Sequence, residues 1–298
     1  MELNTLEITE QPEGFRFTSI RDLVNRTLNQ NFGKNLTPDG VPSGFRELDK
    51  ALGGFQKGQL YMIAVKPGMG KTAFLLSLTN NMAIKDDYSV AIFSSERSNV
   101  KMTNRLIESE TGMSLDKLQS GRLKDSEKDH MLSLLGNIAK AKIYIDDTPA
   151  LSINLLSEKI RHLKQVQHVD LIIIDYLELL TTGISGNENR PAQLKRIAEQ
   201  IRAVARETQV PVLLFSQSAA QINGFMSGKR PSMDALPEFV KQSPDVLMFL
   251  HRNIYTLDKV VKPLNTAELM VLRTNDSDQE TVIPLSFIES IAKFTDLS

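Results

Sequence analysis

Residues 65–72 read V-K-P-G-M-G-K-T, a glycine-bearing loop that ends in Lys71 and Thr72. The ending fits the phosphate-binding pattern G-x-x-x-x-G-K-[ST], with Val65 in place of the first glycine. These residue types suit a polyphosphate. Backbone N–H groups of Gly68–Thr72 would wrap a β-phosphate at a helix N-terminus, where the helix dipole favours anions. Lys71 would reach the β- and γ-phosphates, and the Thr72 hydroxyl would ligate Mg²⁺. The alternative is a chance Gly-Lys-Thr in a loop.

Three further polar residues end apolar runs. D-L-I-I-I-D closes on Asp175, an acid placed to share the magnesium with Thr72. S-V-A-I-F-S-S-E closes on Glu96, a carboxylate able to polarise an attacking water. V-P-V-L-L-F-S-Q closes on Gln217, an amide able to sense a γ-phosphate. From the residues alone, Glu96 and Gln217 could equally be solvated loop residues.

The elements that would position them alternate along the chain from Gly44 onward. Strands are expected at Gln59–Val65, Ser89–Phe93, Lys142–Ile145, Asp170–Ile174, Pro211–Phe215 and Asp245–Leu250. Helical patterns lie between them, with Phe74, Leu75, Leu78 and Met82 on one face after the loop and Leu194, Ile197, Ile201, Val204 and Ala205 on another. Continuous apolar strands alternating with amphipathic helices predict an α/β fold, a mostly parallel central sheet with helices on both faces. E-L-M-V-L-R-T and E-T-V-I-P-L-S-F predict a C-terminal β-hairpin extending that sheet. Ligands of such sheets bind beyond the carboxyl ends of the strands, where the loop, Glu96, Asp175 and Gln217 all fall.

Composition narrows the setting. The 298 residues suffice for one large domain, with 41% hydrophobic and 24% charged residues. No apolar run approaches the roughly 18–20 residues of a membrane span, and the acidic N-terminus is unlike a signal peptide, so no membrane partner is expected. Without cysteine there are no disulfides or thiolate metal sites, which suits a cytoplasmic location. The four histidines lack metal-ligand spacing. A net charge of −1 leaves any nucleic-acid binding to local basic loops.

Residues 1–40 read as a tail, an amphipathic helix at about 18–30 with Ile20, Leu23, Val24 and Leu28 in one stripe, and a linker. Such a helix must dock on its own domain or on a neighbouring subunit. Residues 41–298 form the second division.

These residues, in this order, resemble the ATPase domain of DnaB-type replicative helicases, within the RecA-like P-loop superfamily. K-P-G-M-G-K-T resembles the family's R-P-S-M-G-K-T, and F-S-S-E-R-S its F-S-L-E-M-S. L-I-I-I-D-Y-L-E-L-L, V-P-V-L-L-F-S-Q and the M-F-L-H-R stretch ending at Arg252 are further matches. The resemblance implies a nucleotide-binding set of Lys66, Pro67, Gly68, Met69, Gly70, Lys71, Thr72, Ala73 and Arg252. Thr72 and Asp175 are its metal ligands, and Glu96, Lys71, Gln217 and Arg273 its catalytic residues. It implies ATP and Mg²⁺, a homohexameric ring joined through the 18–30 helix, single-stranded DNA in a central channel, and replication proteins as partners. Arg190, Lys229 and Arg230 are its candidate DNA contacts, with a solvated loop as the other reading of Lys229 and Arg230. The family's N-terminal primase-interacting domain has no counterpart in the first 40 residues.

Three stretches depart from the family. Where it has G-K-Q-R-N-G, residues 272–277 read L-R-T-N-D-S, so Arg273 stands for the lysine and Asn275 for the arginine that reaches a neighbour's γ-phosphate. Its channel arginine becomes Leu236 within D-A-L-P-E-F, and Ser218, Ala219 and Ala220 replace its L-N-R. The expected function is therefore a Mg·ATP-dependent helicase or translocase on single-stranded DNA. The alternative is an ATP-binding ring or adaptor with weak or no hydrolysis, regulating a helicase or recombination partner.

Overall fold

Side-chain alternation along β1 (Leu60–Val65) divides the core into two layers. Tyr61, Ile63 and Val65 join one buried cluster with Phe74, Leu75 and Leu78, while Leu60, Met62 and Ala64 join another with Ile197, Ile201 and Val204. A strand with no exposed residue needs cover on both faces, as its unbroken apolar sequence predicts. The structure, a computed structural model, describes residues 40–113, 117, 125–183, 189–217, 236–257, 260–273 and 280–297. The helix expected near residues 18–30 lies outside them, as do Lys229, Arg230 and Asn275.

The sheet has nine strands in the order β3-β2-β4-β5-β1-β6-β7-β8-β9. Its parallel part comprises β2 (Val90–Ser94), β3 (Ile143–Asp146), β4 (Leu171–Asp175), β5 (Val212–Ser216), β1 and β6 (Val246–Leu257). β7 (Val260–Arg273), β8 (Thr281–Ile288) and β9 (Lys293–Asp296) continue it antiparallel. The α/β class and the hairpin extension are therefore as the sequence predicts.

Three details differ from the expectation. All six expected strands begin one residue later in the structure, and β2, β3, β4 and β5 also end one residue later. β6 runs on past Leu250 to Leu257, because antiparallel pairing with β7 carries the ladder to Leu257↔Val260 across an irregularity at Arg252/Ile254. The polar His251-Arg252-Asn253 had masked that continuation. The helix after the loop is α-helical over Lys71–Thr79 and widens to π over Asn80–Lys85. It is buried all round, packed against β9 as well as against the central strands, rather than showing one inner face.

At the end of the sheet away from the loop, Asp245 fastens β1 to β6. Its carboxylate is 2% exposed and accepts the Leu60 N–H at 2.9 Å, Arg202 Nε at 3.0 Å and Arg206 Nη2 at 3.1 Å. Asp245→Ala strands the buried Leu60 N–H and releases Arg202 and Arg206, both reached by solvent, from their shared acceptor. The expected cost is about 1–3 kcal/mol, read as a lower denaturant midpoint at unchanged slope. A loss below about 1 kcal/mol would show that solvent replaces these bonds.

Candidate functional site

Each parallel strand delivers its carboxyl end to one edge of the sheet. Register sets Ser94 beside Asp175, Ala64 beside Ser216 and Val65 beside Leu250. The residues that follow these ends therefore meet: the 66–70 loop, Glu96, Gln217 and Arg252. Val65 is the fully buried last residue of β1, so it closes the strand and the turn falls to the glycines. Gly68 and Gly70 have φ of +84° and +95°, left-handed values that a side chain opposes. A Cβ on Gly70 would also lie 3.0 Å from the Phe294 ring.

At the centre stands the Lys71 ammonium, 8% exposed. Its Nζ lies 2.5 Å from Glu96 Oε2 and 2.7 Å from Asp175 Oδ1, and 3.9 Å from the centroid of the Tyr176 ring. Asp175 also faces Ser94 Oγ at 3.4 Å. Burial pushes the Asp175 carboxyl up from its ordinary value, against the lowering pull of the Lys71 ammonium. Burial likewise raises the Tyr176 phenol and lowers Lys66. The Arg252 guanidinium stacks 3.7 Å from the Phe287 ring centroid, and burial lowers it.

The helix start fits an anion. Helices beginning at Asn99, Ile153 and Arg190 have Ser98, Ser152 and Asn189 as N-caps, whose side chains accept from Lys101, Leu155 and Ala192 N–H. The Lys71–Thr79 helix begins at Gly70 with no side-chain cap, and the space beside Gly68 is open to 4 Å. Its first N–H groups thus face a cradle that phosphate oxygens would fill. A hydroxyl at Thr72 and a buried carboxylate at Asp175 are the hard oxygen donors that Mg²⁺ prefers.

Lys71, Thr72, Glu96 and Asp175 are thus brought to one place, with Arg252 beside Gly70 and Gln217 on the neighbouring strand end. Arg273 is not. Because β7 runs antiparallel, Arg273 pairs with Leu247 near the start of β6, at the far end of the sheet from the loop. Arg190, expected as a DNA contact, turns its guanidinium inward: Nη2 donates to the carbonyls of Glu178 and Leu180 at 2.7 and 3.1 Å, and Nη1 to Gln193 Oε1. Leu236 is buried in the core with Phe239 and Val240. Sequence reasoning missed Tyr176, Glu178, Phe287 and Phe294. Only the first two carried a signal, as polar residues within the apolar run after Asp175.

A family model for the DnaB-like helicase C-terminal domain matches residues 40–296. The chain belongs to that family. The replicative DNA helicase DnaC of Bacillus subtilis (strain 168) is 32% identical over 301 residues, covering 99% of this chain and 66% of that protein. The replicative DNA helicase DnaB of Geobacillus stearothermophilus is 32% identical over 299 residues, covering 98% and 65%. This chain therefore spans just under two thirds of the length of either relative. Among solved structures, the ATPase domain of G40P superposes with a TM-score of 0.81 at 27% identity, over 95% of this chain and all of that one. A DnaB-like replicative helicase solved with regard to its interactions with primase gives 0.80 at 28%, over 95% and 68%. These likenesses establish a DnaB-like ATPase-domain fold. No described helix is long and apolar enough to cross a membrane.

Proposed function

We propose that this chain is the Mg·ATP-driven motor domain of a DnaB-type replicative helicase, hydrolysing ATP to move along single-stranded DNA. The observation that carries the reading is the Lys71 ammonium held between Glu96 and Asp175 beside an uncapped helix N-terminus. Lys66–Ala73 and Arg252 would hold the nucleotide. Thr72 and Asp175 would hold Mg²⁺, which supplies neutralising charge to the phosphates when bound. Glu96 would take the proton of a water as its oxygen bonds to the γ-phosphorus and the bond to the ADP oxygen breaks. Lys71 moves from carboxylate to phosphate partners and stabilises the charge that develops. Gln217 would read the γ-phosphate.

Residues 1–40 are assigned to a tail and docking helix, and 41–298 to the ATPase domain. The working form would be a homohexameric ring in the cytoplasm, joined through the 18–30 helix and open to replication partners. Arg273 supports this, since its distance from its own chain's loop suits a role at a neighbour's site. DNA contact would fall to loops after β4 and β5, with Lys229 and Arg230 as backbone contacts and Arg190 holding the Leu177–Leu179 turn. A second reading, an ATP-binding ring or adaptor with weak hydrolysis, is favoured by Asn275, since a trans-acting arginine contributes on the order of 10³–10⁵ in rate.

ATP turnover measured with and without single-stranded DNA separates the two, with Lys71→Ala and Glu96→Gln as controls. DNA-stimulated turnover lost in both variants supports the motor. Nucleotide binding without turnover under any DNA condition sinks it in favour of the adaptor.

A further inference from the structure

The upper edge of the sheet splits between β4 and β5. Their ladder runs Ile172↔Val212, Ile173↔Leu213, Ile174↔Leu214 and stops. Asp175 stays paired with Ser94 of β2, and Ser216 with Ala64 of β1. The metal-binding carboxylate thus belongs to one half of the edge and Gln217 to the other. No backbone pairing joins these two strands beyond Ile174↔Leu214.

One side chain spans the split. Glu178 sits in the 3-10 turn Leu177–Leu179, three residues beyond Asp175. Its Oε1 accepts the Ser216 hydroxyl at 2.6 Å, and its Oε2 accepts the Gln217 N–H at 3.1 Å. The turn carrying it is fixed from the other side by Arg190, through the carbonyls of Glu178 and Leu180. The same turn begins at Tyr176, whose ring lies against the Lys71 ammonium. The three residues Tyr176–Glu178 therefore touch the phosphate-loop lysine at one end and the Gln217 backbone at the other.

We propose that Glu178 is a positioning residue that fixes Gln217 relative to Asp175, so that the two halves of the split edge act on one nucleotide. The proposal rests on the ATPase reading of Asp175 and Gln217. Its chemistry follows from the two converging donors. A carboxylate offers an acceptor to each. Glutamine satisfies both once the Ser216 hydroxyl turns from donor to acceptor, whereas alanine satisfies neither and aspartate is too short to span both. Shape and reach are required here, and charge is not.

The test compares Glu178→Ala, Glu178→Gln and Glu178→Asp with the unaltered chain. Glu178→Ala should lower kcat for ATP by about tenfold to a hundredfold, with the Kd of a fluorescent ADP analogue within about threefold, since a misplaced group costs rate more than binding. Glu178→Gln should restore both. Combining Glu178→Ala with Gln217→Ala should add nothing to Gln217→Ala alone, because the first acts through the second. Independent, multiplying losses overturn the proposal. A second arm needs no turnover: hydrogen exchange at the Gln217 amide of the nucleotide-free protein should quicken at least about tenfold in Glu178→Ala and stay unchanged in Glu178→Gln. If the alanine variant fails to fold, Glu178→Asp should show the faster exchange in its place. Unchanged exchange overturns the proposal even if the unaltered chain hydrolyses ATP. An inactive chain with the expected exchange pattern overturns the ATPase reading and leaves the brace standing.

Discussion

Glu96→Gln holds ATP and does not turn it over. The amide is nearly the shape of the carboxylate, so its oxygen still accepts from Lys71 where Oε2 now stands at 2.5 Å. The loop lysine remains seated and the phosphate cradle is unaltered. What disappears is the group able to take a proton from water at neutral pH. General-base catalysis of this kind contributes about 10²–10⁴-fold, and a loss of that size is expected in a single-turnover measurement. Nucleotide affinity should hold or tighten, because a negative charge near the phosphates has been removed. Should Glu96→Gln hydrolyse within about threefold of the unaltered chain, Glu96 is only the counter-ion of Lys71, and the base must be sought elsewhere.

Lys71→Ala has two effects of different origin. Charge-assisted hydrogen bonds to the phosphates are lost, each worth about 1.5–3 kcal/mol, so MgATP affinity should fall at least about tenfold. The nucleotide-free fold also loses the cation that steadies a buried carboxylate. Burial already raises the Asp175 carboxyl, and Lys71 is the leading influence pulling it down. Without Lys71 it rises further. A carboxyl whose folded-state pKa lies above its unfolded value binds protons more tightly when folded, so stability falls as pH climbs from the unfolded value through the folded one. The deficit of Lys71→Ala should therefore be largest near neutral pH and shrink on acidification towards about pH 4. Denaturant midpoints at about pH 5 and about pH 8, with divalent cations chelated, measure it. A deficit independent of pH would mean that Asp175 does not stay ionised in the unaltered protein.

The fold was legible wherever burial was total. β1 is apolar throughout, and β4 and β5 up to their last residues, because both faces are covered, and such runs betray themselves in sequence. β9 gave no signal: K-F-T-D has one apolar residue, and it becomes a strand through its ladder with β8, with Phe294 seated against Phe74 and Phe287. The site was legible where a local motif carries chemistry, as at Lys71 and Thr72, and at strand ends such as Asp175. Glu178 was not, because its partners, Ser216 and Gln217, are 38 and 39 residues distant in sequence. The hold of Arg190 on the Glu178 and Leu180 carbonyls was not legible either, since backbone acceptors leave no trace in side-chain types.

β9 bears on the order in which the molecule is made. Phe294 is buried against Phe74, its ring reaches Gly70, and its N–H donates to Ser77 Oγ at 2.8 Å across 217 residues of chain. The floor of the phosphate loop is thus completed only after the intervening 217 residues have been made. Until β9 is synthesised and seated, the Lys71–Thr79 helix lacks one wall, and the loop lacks the ring that packs beneath it. A nascent chain carrying the whole G-M-G-K-T motif should therefore hold nucleotide poorly, and tight retention of nucleotide would report that translation has passed β9.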